Sequence, residues 1–231
     1  MKQRAGLPAW VILGACALAC IAGMVNVTGY MGFEHQGITH LTGTTTLLGE
    51  ALSGGNWHAS LQLLAMILAF VLGAVVSGAI IQDVQLRLRR RYGVALALES
   101  ALLFAAAALF KDGSLAGPLL AAAACGLQNA IATTYSGALV RTTHLSGLFT
   151  DLGIAIGHAL RGRPWEFSRI QLSILTIGAF AFGCIVGALL FRRFSYDALY
   201  VPATWTGVVG IGYALYHHHR FSRHESRSQR R

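Results

Sequence analysis

Six windows of about 20 mostly apolar residues, each long enough to cross the hydrocarbon core of a bilayer, recur along the chain: residues 8–29, 57–81, 93–110, 116–138, 170–191 and 198–216. In lipid a backbone must satisfy its polar groups within each segment, so repeated windows of this kind predict an all-α polytopic membrane protein. Composition agrees. Of 231 residues, 55% are hydrophobic and 12% are charged, against roughly a quarter charged in a soluble domain. A disordered chain is excluded, and a single anchor on a soluble head does not fit apolar runs spread over the whole length. Lys2 and Arg4 before an apolar run, with Leu13-Gly14-Ala15-Cys16 inside it, resemble a signal peptide or lipoprotein box. A retained helix is expected instead, because the motif that follows it has a later partner that also follows a full span.

Basic residues set the expected orientation, since short basic connections stay in the cytoplasm. Lys2 and Arg4 precede the first span, Arg87, Arg89, Arg90 and Arg91 fill the second connection, and Arg141, Arg161, Arg163 and Arg169 the fourth. The first connection carries only Glu34 and Glu50, and the third a balanced Lys111-Asp112. Both termini are therefore expected in the cytoplasm, with Arg192 and Arg193 as one dissenting pair. The tail, 217–231, holds five Arg and one Glu. Its juxtamembrane position points to anionic lipid or to topology, and not to nucleic acid.

The segments 39–52 and 143–156 repeat at a constant offset of 104, with eight of 14 positions identical. Thr39-His40-Leu41-Thr42-Gly43 matches Thr143-His144-Leu145-Ser146-Gly147, and Gly23-Met24-Val25-Asn26 matches Gly126-Leu127-Gln128-Asn129. Ala69-Phe70 and Gly73 likewise match Ala179-Phe180 and Gly183. The chain thus divides into a first repeat (1–110), a second repeat (111–216) and the tail. Three spans per repeat is an odd number, so the second copy enters the membrane from the opposite side and the halves form an inverted pair. The repeated segments 39–52 and 143–157 are too short to span at 1.5 Å per residue. They are read as re-entrant half-helices, the interrupted pieces that mark midplane sites in transporters built from inverted repeats.

These same residues carry a resemblance. Gly23 to Tyr30, the Thr-Gly segment ending Leu47-Leu48-Gly49, Gly126-Leu127-Gln128-Asn129 and Arg141 to Gly147 followed by Thr150-Asp151-Leu152-Gly153 are similar to the YoaK-like family of bacterial inner-membrane proteins, a domain of unknown function. The similarity runs over about 10–215 and implies a multi-pass protein of the bacterial cytoplasmic membrane, without naming a substrate or a catalytic residue. The chain departs from the family pattern at Asn26, commonly Asp, and at Thr44, often Asn.

His40 and His144 occupy equivalent positions at the starts of the half-helices. Imidazoles there can bind a carboxylate, relay a proton or gate a pore; alternatively each caps its own helix. Thr42 and Thr46, and Ser146 and Thr150, share helix faces that can replace water around a solute, or bond to the preceding turn. Asp151 stands where the first repeat has Leu47. Glu99 lies within the third span, where a lone carboxylate demands a partner or a role, and is the candidate coupling group. Asn26, Gln128 and Asn129 recur at matching positions; contact with a solute and interhelical hydrogen bonding are both open. Gly183 and Gly187, like Gly73 and Ser77, suit close helix contacts, and a homo-oligomer is compatible with such faces. Cys16, Cys20, Cys125 and Cys184 fall in apolar spans and form neither a disulfide framework nor a zinc spacing. The tail histidines are read as an incidental flank, so no metal and no cofactor is expected. Without a serine and general base, a His-Glu-x-x-His motif or paired intramembrane aspartates, an enzyme is not expected. The expected function is a transporter or channel-like facilitator of a small polar or anionic solute, with a non-transporting membrane scaffold as the alternative.

Overall fold

The structure is a computed structural model describing residues 9–33, 37–81, 90–135, 142–165 and 167–228. These form long helices α1 (Ala9–Gly32), α3 (Trp57–Ile80), α4 (Arg90–Lys111), α5 (Ala116–Tyr135), α7 (Phe167–Phe194) and α8 (Tyr200–Ser228). Two short helices, α2 (Leu41–Ser53) and α6 (Leu145–Leu160), fall in the repeated segments, and a 3-10 turn, Ser195–Leu199, joins α7 to α8. No strand occurs among the described residues. Among the described residues four stretches are long and apolar enough to cross a membrane: Val11–Gly32, Trp57–Ile80, Arg91–Lys111 and Ile170–Tyr213. The last takes in most of α7 and the first half of α8. Helix α5 falls short of that mark because Gln128 and Asn129 dilute its apolar residues.

Helix ends differ from the sequence expectation for local reasons. Helix α2 begins at Leu41 and not at residue 39, because the Thr39 N–H and hydroxyl are both taken by Asn26 Oδ1, at 3.0 and 2.8 Å. Helix α3 starts where Asn56 caps it, accepting from the Ala59 N–H at 3.1 Å. Helix α7 runs on to Phe194 and ends where Ser195 adopts a left-handed φ of 52°. In place of the flexible flank expected for the tail, α8 continues through it to Ser228. Lys2, Arg4, Glu34, Arg87, Arg89 and Arg141 lie outside the described residues.

Three helix pairs carry the packing: α1 with α7, α3 with α5, and α4 with α8. Glycine makes two of them close. A side chain on Gly23 would strike the Phe180 carbonyl and one on Gly183 the Cys20 carbonyl, so α1 and α7 meet backbone to backbone. At the other seam Gly126 faces the Phe70 carbonyl and Gly73 the Ala123 carbonyl. These four glycines are repeat partners, and each seam joins the first helix of one half to a helix of the other. The seams use small residues as membrane helices do, to bring backbones together. Gly187, against Met24 and Val27, extends the first seam.

The buried core lies around α4 and α5, with Leu103, Ala106, Ala107, Ala121, Ala124 and Cys125 in one cluster that also takes Leu199 and Ala203. Outward faces are apolar instead, with Leu61, Leu68 and Leu72 on α3 and Phe182, Ile185 and Leu189 on α7 exposed. A surface of that kind suits lipid tails. At one end of the bundle the 3-10 turn locks the helices together: Lys111 forms an ion pair with Asp197, Tyr196 donates to the Gly32 carbonyl, and the Tyr196 ring stacks on Phe110 at 4.7 Å.

Candidate functional site

The first turns of α2 and α6 open onto one cavity of about 570 Å³. Its walls are His40, Leu41 and Thr42 from α2's start, His144, Leu145 and Ser146 from α6's start, and the preceding Thr39 and Thr143. Helix α3 contributes Phe70 and Ala74, and α5 contributes Gly126, Asn129, Ala130, Thr133 and Thr134. Among the described residues the lining contains hydroxyls, an amide and two imidazoles but no carboxylate, lysine or arginine.

Both histidines sit at N-cap positions, and neither side chain makes a capping hydrogen bond. Each ring folds instead over the glycine three residues on: a side chain on Gly43 would strike the His40 ring, and one on Gly147 the His144 ring. The capping role expected as an alternative for these imidazoles is therefore not the one they take. The first-turn N–H groups of a helix have no intrahelical partner, and each helix start carries roughly half a positive charge. Two such ends facing one polar cavity favour an anion or the negative end of a polar solute.

The threonines before each short helix are pinned by matching amides. Asn26 Oδ1 accepts both bonds from Thr39, while Asn129 Oδ1 accepts from the Thr142 hydroxyl at 3.0 Å and its Nδ2 donates to Thr143 Oγ1. The amides thus fix where α2 and α6 begin. Asn129 also lines the cavity, whereas Asn26 does not.

The structure brings His40, Thr42, His144, Ser146 and Asn129 together around the cavity. It does not bring the other expected residues there. Thr46 donates to the Thr42 carbonyl and Thr150 to the Ser146 carbonyl, each at 2.9 Å, one turn further along helices whose exposed faces they occupy. Asp151 is half-buried next to Thr150 on α6. Glu99 is 2% exposed on α4, and the face of α5 that packs on α4 is opposite the face lining the cavity. Thr133, Thr134, Phe70 and Ala74 line the cavity without having been expected there. The two threonines, at i+4 and i+5 from Asn129, carried a legible signal as polar residues at the end of an apolar span. Phe70 and Ala74 carried none.

No curated protein and no solved structure matches the chain. A family model described as "Protein of unknown function (DUF1275)" matches residues 14–212, most of the chain and nearly all of the helical bundle. The chain belongs to the DUF1275 family.

Proposed function

We propose that the chain is a YoaK-like protein of the bacterial cytoplasmic membrane that moves a small polar or anionic solute, as a transporter or channel-like facilitator. Its six long helices cross the bilayer as two inverted repeats, α2 and α6 re-enter from opposite sides, both termini are cytoplasmic, and the solute rests between His40 and His144. Ile170–Tyr213 is 44 residues, about 66 Å as helix at 1.5 Å per residue, which suits two passes through a core of about 30 Å. One observation carries the reading: the starts of two repeat-related short helices converge on a single cavity of about 570 Å³ with hydroxyl, amide and imidazole groups among apolar walls, a size within the ~300–1,000 Å³ range of small-molecule sites.

No bond is made or broken in such a role, so the protein acts without being an enzyme. A scaffold that holds partners through its glycine faces would have a filled, dry centre, and a cavity carrying hydroxyl, amide and imidazole groups weighs against it. Flux is the test. Purified protein in vesicles of phosphatidylethanolamine and phosphatidylglycerol should pass a set of small inorganic and organic anions, measured as charge movement or radiolabel uptake. His40→Ala with His144→Ala should abolish that flux while the melting temperature stays near wild type. Undiminished flux in the double variant removes the site assignment, and a stable co-purifying membrane protein with no flux at all moves the reading to a scaffold.

A further inference from the structure

The two repeats agree at most junctions and disagree at one. Exchanging the halves turns α4 against α5 into α8 against α1. In the structure α4 packs along much of α5, whereas α8 and α1 meet only lightly, and an apolar cavity of about 190 Å³ separates Gly14, Ala17 and Leu18 on α1 from Trp205, Val209 and Tyr213 on α8, with Tyr92 and Leu96 of α4 and Ile131 of α5 also in its lining.

The closed junction hides the one buried residue of charged type among the described residues, Glu99. Ala95, Glu99 and Leu103 are spaced i, i+4, i+8 and form one stripe of α4. Ala95 belongs to the cluster holding Leu127, Ile131 and Ala132 of α5, and Leu103 to the cluster holding Ala121, Ala124 and Cys125. Glu99 therefore lies between them, at the level of Gln128. Glu99 Oε2 and Gln128 Nε2 are buried with no hydrogen-bond partner. From α5 the Cys125 thiol lies near enough to feel the Glu99 carboxyl, while α8 meets the adjacent Ser100 through the Ala203 carbonyl and Gly207. The acid on the 3-10 turn, Asp197, is paired with Lys111, twelve residues along α4 from Glu99. Arg91, two turns earlier on the same stripe of α4, is exposed, and among the described residues no cation forms an ion pair with the Glu99 carboxyl, so a proton is the ligand this pocket suits.

We propose that the chain has a second arrangement in which α1 closes on α8 and α5 parts from α4, and that Glu99 is a proton-binding site sealed in the first arrangement and opened in the second. The inference rests on the transporter reading and adds the proton to its cargo. In exchange terms, one half adopts the conformation the other half now has. Opening at α5 gives Glu99 water from the end of the bundle where α5 begins, and closure at α1 removes the cavity from the end where α1 begins.

The test uses the full chain in vesicles, with the four native cysteines replaced. Ala17→Cys and Val209→Cys place thiols on opposite walls of the α1/α8 cavity. A short bis-maleimide should join them, and the joined protein should then react at Glu99 with a water-soluble carbodiimide and glycine ester at least tenfold faster than the unjoined protein, as read by mass spectrometry. Infrared difference spectra between acid and alkaline pH should contain a protonated-carboxyl carbonyl band that Glu99→Gln removes. Failure of the thiols to join, equal reactivity before and after joining, or a carboxyl band that survives Glu99→Gln overturns the inference. Neither readout is flux. Loss of flux in the histidine variants with unchanged Glu99 chemistry keeps the transporter and discards the proton site; a cross-link-dependent Glu99 without any flux does the reverse.

Discussion

The α1/α7 and α3/α5 seams are built alike, and the α4/α5 and α1/α8 junctions are not. At the seams, Gly23 and Gly183 in one and Gly126 and Gly73 in the other press on equivalent carbonyls, so positions that match in sequence also match in geometry. At the junctions, α5 brings Ala121 and Ala124 into the buried core of α4, while the equivalent positions of α1 are Leu18 and Ile21, which border an open cavity. The contrast separates a frame from a movable part. Backbone contact tolerates no added atom and so fixes the seams, whereas a void beside larger side chains leaves the α1/α8 junction free to change.

The largest effects should come from breaking that frame. Gly73→Val or Gly126→Val puts branched carbon against a carbonyl of the facing helix, beyond the ~1–3 kcal/mol usual for overpacking. Fluorescence-detected size exclusion should show aggregated protein or none. The partner variants Gly183→Val and Gly23→Val should fail equally. Gly78 and Gly178, with open space where a side chain would begin, should accept Ala and gain about 0.5–1 kcal/mol of helix stability. Unequal losses at the two seams would break the claim that they are equivalent.

The next largest effect concerns the amides that place the half-helices. Asn26→Ala leaves the Thr39 N–H without its acceptor, and a buried donor left unsatisfied costs about 1–3 kcal/mol. Asn129→Ala removes one accepted and one donated bond, so both variants should lower the melting temperature. They should differ in the size of their effect on function: Asn129 lines the cavity itself, whereas Asn26 acts only through the Thr39 it holds at the start of α2, so Asn129→Ala should impair flux more strongly than Asn26→Ala.

Much of this architecture could be read before the structure. Apolar windows located the long helices to within a few residues, apart from the C-terminal end of α8, which runs twelve residues past its window to Ser228, and the constant offset between 39–52 and 143–156 predicted two short helices because a motif copied with its Gly, Thr and His intact retains its local geometry. The glycine pairs at 73 and 183 were legible as contact positions for the same reason. What stayed hidden depends on which helices become neighbours. Nothing in Phe70 or Ala74 announces a cavity wall, since an apolar residue looks the same toward lipid, core or void. The α1/α8 cavity was illegible too, because it is the space left between residues that separately look like ordinary packing. Asn26 and Asn129 were legible as a pair, but their role in ending the loops and starting α2 and α6 required the positions of Thr39 and Thr142.

A smaller effect sharpens the comparison at the site itself. Gly43→Ala and Gly147→Ala push on the His40 and His144 rings at the rim of the cavity, where the imidazoles can turn into open space, so each should cost about 0.5–1 kcal/mol, the low end of what single substitutions cost. Flux should nonetheless fall several-fold if ring position matters. Thr46→Val and Thr150→Val should do least. Each hydroxyl bonds only to the carbonyl one turn back, a bond that adds little to helix stability, and both residues stand on exposed faces away from the lining. Thermal denaturation should move by no more than about 0.5 kcal/mol, with flux unchanged in both. A marked loss in Thr46→Val alone would mean that the solute path follows α2 beyond its first turn and that the two half-helices, alike in sequence, are unequal in use.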